Sequence, residues 1–186
     1  MARLQTIALD RARIVAAAFA QLEETGLDGL SMRPLASRLG VQAPALYWHV
    51  PDKSALLRMM AKEIYAGAYA AIPASLGWRD WLIELGRALR RTFVAHRDGA
   101  RLCATVSAPD VASPDERARG ISAPLVALGL DMPHALSFQA SVISFALGWS
   151  SFEANGSMHA YLAAMMDFDA SFETGLQALV KGFEPA

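Results

Sequence analysis

The chain is 186 residues long, with 54% hydrophobic and 19% charged residues, which excludes a disordered chain and leaves room for one domain or a small module joined to a larger one. A single cysteine, Cys103, excludes both a disulfide-stapled scaffold and a multi-cysteine zinc module. The net charge of −1 is an average over unlike parts: residues 1–60 carry seven basic and five acidic side chains, residues 61–131 nine and eight, and residues 132–186 one and five. The basic excess at the N-terminal end is modest and allows, without requiring, a nucleic-acid partner.

Apolar residues recur every three or four positions almost throughout, and no alternating β-branched stretch is bounded by turn residues, so the spacing predicts an all-α fold. The first helix is predicted over 10–26, with Asp10 as N-cap, Gly26 as stop, and Ile14, Ala17, Ala18 and Leu22 on one stripe. A short helix over 31–40 follows, tolerating Pro34 in its first turn and turning Leu35, Ala36 and Leu39 inward. After Gly40, residues 42–49 make a helix of barely two turns that stops before Pro51. Two short helices joined by a glycine turn make a helix-turn-helix.

A long helix begins at Asp52 and breaks near Pro73 and Gly77; beyond it, helices are predicted over 78–96, 99–107, 115–128, 134–153, 158–166 and 168–183. Residues 1–51 thus read as an N-terminal three-helix unit containing the helix-turn-helix, and 52–186 as a C-terminal helical bundle. Residues 1–50 hold too little apolar surface to stand alone, so the helix from Asp52 is expected to join both cores.

Within the helix over 42–49, Leu46 and Val50 belong to the inner stripe, leaving Gln42, Ala43, Pro44, Ala45, Tyr47, Trp48 and His49 for a DNA major groove. Ala43 and Ala45 let the backbone approach and can touch thymine methyls, while Tyr47 and His49 reach phosphates. Core burial is the competing reading for Trp48. Arg33 and Lys53 bracket the groove with positive charge, and Arg33 is long enough to read guanine.

Residues 26–50, followed by Asp52-Lys53-Ser54-Ala55-Leu56-Leu57, resemble the DNA-binding domain of tetracycline repressor (TetR) family regulators. Leu46-Tyr47-Trp48-His49-Val50, His96-Arg97-Asp98-Gly99-Ala100 and, more weakly, Phe172 to Glu184 resemble the branch of the tetracycline repressors themselves. The resemblance implies a homodimeric repressor that binds palindromic double-stranded operator DNA. It also implies a small effector whose binding in a core pocket moves the fourth helix. Arg33, Pro44, Tyr47, His49 and Lys53 match the family's operator-contacting positions. Ala43 and Ala45 depart from its Gln and Thr, which implies a different operator.

By the same resemblance, Cys103 stands where those repressors place a magnesium-ligating His, and Leu85, Leu89, Ile121 and Tyr69 stand at other drug-contacting positions. Hard Mg²⁺ prefers oxygen ligands, so a largely apolar or aromatic effector is expected, held by some of Tyr69, Trp81, Leu85, Leu89, Cys103, Val106, Ile121, Phe145 and Trp149. Ordinary core packing is the alternative for each of them. Cys103, a lone thiol on an apolar face, is expected to be inert.

The helix over 134–153 carries two apolar stripes, Leu136, Ala140, Ile143 and Leu147 on one and Phe138, Val142, Phe145, Trp149 and Phe152 on the other, and one covering surface cannot bury both. With Phe172, Leu176, Leu179 and Phe183 nearby, this pattern predicts an isologous homodimer through four helices, burial within one monomer being the alternative. Asp10, Arg11 and Arg13 interrupt the N-terminal apolar stretch, and no run of about 18 apolar residues occurs, so a cytoplasmic protein away from membranes is expected. No Gly-x-Ser-x-Gly, His-Glu-x-x-His, phosphate loop or dinucleotide fingerprint is present; no catalysis, cofactor or metal is expected. An all-α ligand-binding protein or enzyme with an incidental helix-turn-helix, and a DNA binder without effector, are the competing functions.

Overall fold

In the computed structural model, which describes residues 9–106, 113–154 and 156–184, helix α1 (Arg11–Gly29) starts where the Asp10 carboxylate accepts a hydrogen bond from the Arg13 N–H at 2.8 Å. The stop expected at Gly26 is only an interruption. Gly26 takes a left-handed φ of 69°, and one more turn follows to Gly29. A β-carbon at position 26 would lie 3.0 Å from Asp98 Oδ2, so both backbone and space require glycine there.

Helix α2 (Met32–Leu39) ends at Gly40, also left-handed, and the Val41 N–H reaches back to the Ala36 carbonyl at 3.0 Å. Helix α3 (Ala43–His49) carries Pro44 in its first turn and buries only Leu46, with Val50 buried just beyond it. Asp52 then caps α4 (Lys53–Ala70), accepting from the Ala55 N–H at 2.6 Å. The starts of α1 and α4 rest on a capping carboxylate and the end of α2 on a left-handed glycine, chemistry visible in the sequence.

The C-terminal part comprises α5 (Trp78–Val94), α6 (Gly99–Thr105), α7 (Pro114–Ala127), α8 (Met132–Ala154), α9 (Gly156–Ala163) and α10 (Phe168–Lys181). Helix α6 ends at Thr105, with Val106 extended where the expected helix continues; Ser107, its expected end, lies outside the described residues. A capping box of Ser113 and Glu116 starts α7. Among the described residues there is no strand, so the fold is all-α, with an N-terminal helix-turn-helix and a C-terminal helical bundle. No single helix among them is long and apolar enough to cross a membrane.

Helix α4 packs against α1 and against α5 and α6, and one continuous cluster of buried side chains runs from Ile14, Leu22, Leu35 and Leu46 through Leu56, Met60 and Ile64 to Leu85, Leu89 and Phe93. Position 51/52 falls between α3 and α4, and this core continues across it.

The two stripes of α8 find more cover within the protomer than their pattern suggests. Phe138 and Val142 are buried, Leu136, Ile143 and Leu147 are half-buried, and Phe145 and Trp149 lie with their rings 5.3 and 5.9 Å from Phe172 of α10. What stays outside is mostly small: Ser137, Ala140, Ser144, Gly148 and Ser151, with Phe152 half-exposed. Helices α5, α8 and α10 approach closely at Gly86, where a β-carbon would lie 2.7 Å from Leu176 Cδ1 and 3.2 Å from Val142 Cγ1. Ion pairs of Arg87 with Glu173 and of Arg90 with Glu153 and Asp169 tie α5 to α10 and to the end of α8.

Candidate nucleic-acid interface and effector core

Leu46 and Val50 anchor α3 from below, with Ala43 partly packed against the core, so most of its remaining side chains point away from the protein. Trp48 is 90% exposed and Tyr47 43% exposed; Gln42, Pro44, Ala45 and His49 are exposed too, and Ala43 is half-buried. Core burial of Trp48 is therefore set aside. A fully hydrated indole has no folding benefit, and large rings are seldom left so bare without a partner.

Arg33 is exposed on the first turn of α2. Lys53 is half-buried, and its ammonium donates to the Leu27 carbonyl at 3.3 Å, so part of its hydrogen-bonding capacity is turned toward the end of α1. These side chains come from three elements and are held by backbone caps at Gly40 and Asp52, which fixes α3 relative to its neighbours.

The end of α1 is in turn fastened to the bundle. Asp98 takes a left-handed φ of 57° at the start of α6, and its Oδ2 accepts from the Leu27 N–H. The Arg97 guanidinium donates to the Glu23 and Glu24 carbonyls at 3.1 and 3.0 Å, completing carbonyls that an ending helix leaves unpaired. Arg101 forms a bidentate pair with Asp28 at 2.9 and 2.7 Å. His96, just beyond the end of α5, stacks on Phe19 with ring centroids 4.3 Å apart. This fastening joins residues more than 70 positions apart, and sequence spacing gives no sign of it.

The nine expected effector residues do not form one group. Trp81, Leu85, Leu89 and Cys103 are buried where α4, α5 and α6 meet α8, with half-buried Tyr69 beside Trp81 at 5.9 Å between ring centroids and half-buried Val106 closing α6. Phe145 and Trp149 face α10 instead, and Ile121 on α7 is 50% exposed. A cleft of about 990 Å³ lies elsewhere, between the end of α1, the α5–α6 turn and the end of α8, lined by Glu23, Val94, His96, Asp98, Thr105 and Ser150 among others.

Burial pushes the Cys103 thiol up to about 12, so it is a protonated, soft group at neutral pH. Gln139 was missed from sequence. It is fully buried on α8, and its amide donates to the Tyr69 hydroxyl. The signal was present: a polar amide between Ala135 and Val142 on the inner stripe.

Two family models match the chain: bacterial regulatory proteins of the tetR family over residues 14–60, and the tetracyclin repressor-like C-terminal domain over 73–160. The tetracycline repressor protein class A from transposon 1721 of Escherichia coli is 43% identical over 110 residues, 57% of this chain and 51% of that repressor. The chain spans about half the length of the curated relatives it first matches.

Among solved structures, a glutamine-to-alanine variant of TetR from Acinetobacter baumannii AYE, in complex with minocycline, superimposes with a TM-score of 0.77 at 31% identity, covering 95% of this chain and 97% of that one. Class A TetR in complex with 5a,6-anhydrotetracycline and magnesium gives 0.70 at 31% identity, covering 91% and 94%. With the helix-turn-helix and the bundle each matched and nearly the full length of a solved relative covered, this chain belongs to the tetR family of bacterial regulatory proteins.

Proposed function

We propose that this chain is a transcriptional regulator, acting as a repressor in the cytoplasm, that binds palindromic operator DNA as a homodimer and leaves it when a small effector enters the bundle. The bareness of α3 carries the reading: Trp48 at 90% exposure, flanked by Tyr47 and His49, is a surface without use in the folded monomer. Arg33, Gln42, Ala43, Pro44, Ala45, Tyr47, Trp48, His49 and Lys53 form the interface in this proposal. Ala43 and Ala45 supply methyl contact in place of longer base-reading side chains.

The small outward side chains of α8, with exposed Ala170, Thr174 and Ala178 on α10, suit close packing against a second copy. The effector is largely apolar or aromatic and sits among Tyr69, Trp81, Leu85, Leu89 and Cys103. A protonated thiol among leucines offers nothing to Mg²⁺, which supports an effector other than a magnesium-chelated drug.

The test is selection of bound fragments from the source genome, followed by titration of a recovered site against random duplex at several salt concentrations. Tight binding to a palindrome, with half-sites about one helical turn or a multiple of it apart, is expected. Equal affinity for recovered and random DNA would overturn the proposal.

A further inference from the structure

Inside the bundle, Gln139 of α8 is fully buried; its amide nitrogen donates to the Tyr69 hydroxyl of α4, and its carbonyl oxygen has no partner among the described residues. A leucine at this place in the stripe of Ala135, Val142 and Ala146 would fill the core without stranding a polar atom. Trp81 stands beside Tyr69, and burial first, then the neighbouring Cys103 and Tyr69, disfavour ionisation of Tyr65. Polar side chains of α4, α6 and α8 thus meet within the buried apolar cluster.

The hydrogen-bonding capacity of the pair does not depend on which way the amide is turned. In one orientation Tyr69 accepts from Gln139, leaving the phenolic O–H as donor and the amide oxygen as acceptor. Turned over, the phenol donates to the amide, leaving an N–H as donor and a phenolic lone pair as acceptor. Either way at least one donor and one acceptor remain, the complement of a hydroxyl group, with a second amide N–H to spare. Burial pushes the Tyr69 phenol up to about 12, so it keeps its proton at neutral pH.

We propose that the effector is an aromatic compound bearing a hydroxyl group, which the Tyr69–Gln139 pair recognises while the ring lies against Trp81. This deepens the reading of the bundle as an effector site and rests on it. Tyr69 and Gln139 are then specificity-determining residues, because a ligand lacking the hydroxyl leaves both buried groups unpaired.

The experiment is calorimetric titration of the full chain with 2-naphthol, 2-methoxynaphthalene and naphthalene. The wild type is expected to prefer 2-naphthol over the other two by about ten-fold or more, the effect of pairing a buried polar group. Gln139→Leu and Tyr69→Phe, checked by thermal melting to be folded, are expected to keep naphthalene binding and lose the preference. If either variant does not fold, the other and the wild-type series still decide.

Equal wild-type affinity for the three compounds overturns the hydroxyl recognition but leaves the effector core standing. A preference that survives both substitutions places the hydroxyl elsewhere and overturns the assignment. Failure of all three compounds to bind overturns the effector core itself, and this proposal with it.

Discussion

The carboxylate of Asp98 accepts a hydrogen bond from the backbone N–H of Leu27 at 2.8 Å, so the residue that opens α6 completes the backbone of α1 instead of capping its own helix. Asp98→Ala removes the acceptor and puts an alanine at a left-handed φ of 57°. A loss of about 2 kcal/mol in urea unfolding is expected, from the lost charge-assisted bond and the backbone cost together. Asp98→Asn keeps an acceptor and tolerates that backbone, and is expected to lose about 1 kcal/mol or less. Equal losses would mean that the hydrogen bond is immaterial.

Beside it, the Asp28 carboxyl is held below its ordinary value of 3.8, first by the hydrogen bond from Arg101 and then by the guanidinium charge. Folding lowers this pKa, so the pair favours the folded state above about pH 4, and its effect fades as pH falls through the lowered value. In Arg101→Ala, NMR titration of the side-chain carboxyl carbon is expected to show Asp28 moved back up toward 3.8. An unmoved titration would contradict the pairing.

At the proposed DNA interface, Trp48→Ala is expected to change stability by no more than about 0.5 kcal/mol, because an exposed side chain contributes little to folding, while weakening operator binding. Arg33→Ala is expected to relax sequence preference. Lys53→Ala is expected to weaken binding to all duplexes alike and to make the salt slope shallower by about 0.9, the effect of one phosphate contact. Gel-shift titration across salt separates the three outcomes.

Gly86→Ala tests the close approach of α5, α8 and α10. Alanine favours a helix by about 1 kcal/mol over glycine, but its methyl would lie 2.7 Å from a Leu176 side chain that has no exposed surface. The crowding is expected to dominate, giving a net destabilisation of about 1 to 3 kcal/mol in thermal melting. A more stable variant would show that Leu176 has room to move.

Cys103 is expected to resist iodoacetamide at neutral pH in the native protein and to react at once after denaturation, because burial both hides the thiol and pushes it up to about 12. Mass spectrometry of the alkylated protein measures this directly. Rapid native labelling would show that α6 opens readily.

The N-terminal helices were legible because their boundaries depend on local chemistry: Asp10 and Asp52 cap, Gly40 turns left-handed, and Pro51 ends α3. The bundle helices were legible as helices, but their partners were not. Phe145 and Trp149 share a helical spacing with core residues, yet only the position of α10 decides that they meet Phe172 and not Tyr69. The Asp98–Leu27 bond and the Tyr69–Gln139 pair join residues 71 and 70 positions apart, and no periodicity encodes such a meeting. Trp48 was ambiguous because an aromatic at helical spacing suits a core as well as a surface; its 90% exposure resolves the matter.

The uneven hydration of the indoles gives the molecule two optical channels of its own. Of the four tryptophans, Trp48 alone is exposed, while Trp81 is 8% exposed deep among apolar neighbours. Emission at the red edge of the spectrum is therefore expected to be weighted toward Trp48, and emission at the blue edge toward the less hydrated Trp78, Trp81 and Trp149. With the sites as proposed, a duplex laid on α3 is expected to dim the first and a compound beside Tyr69 to disturb the second, so occupancy at both ends can be followed in one cuvette without a dye.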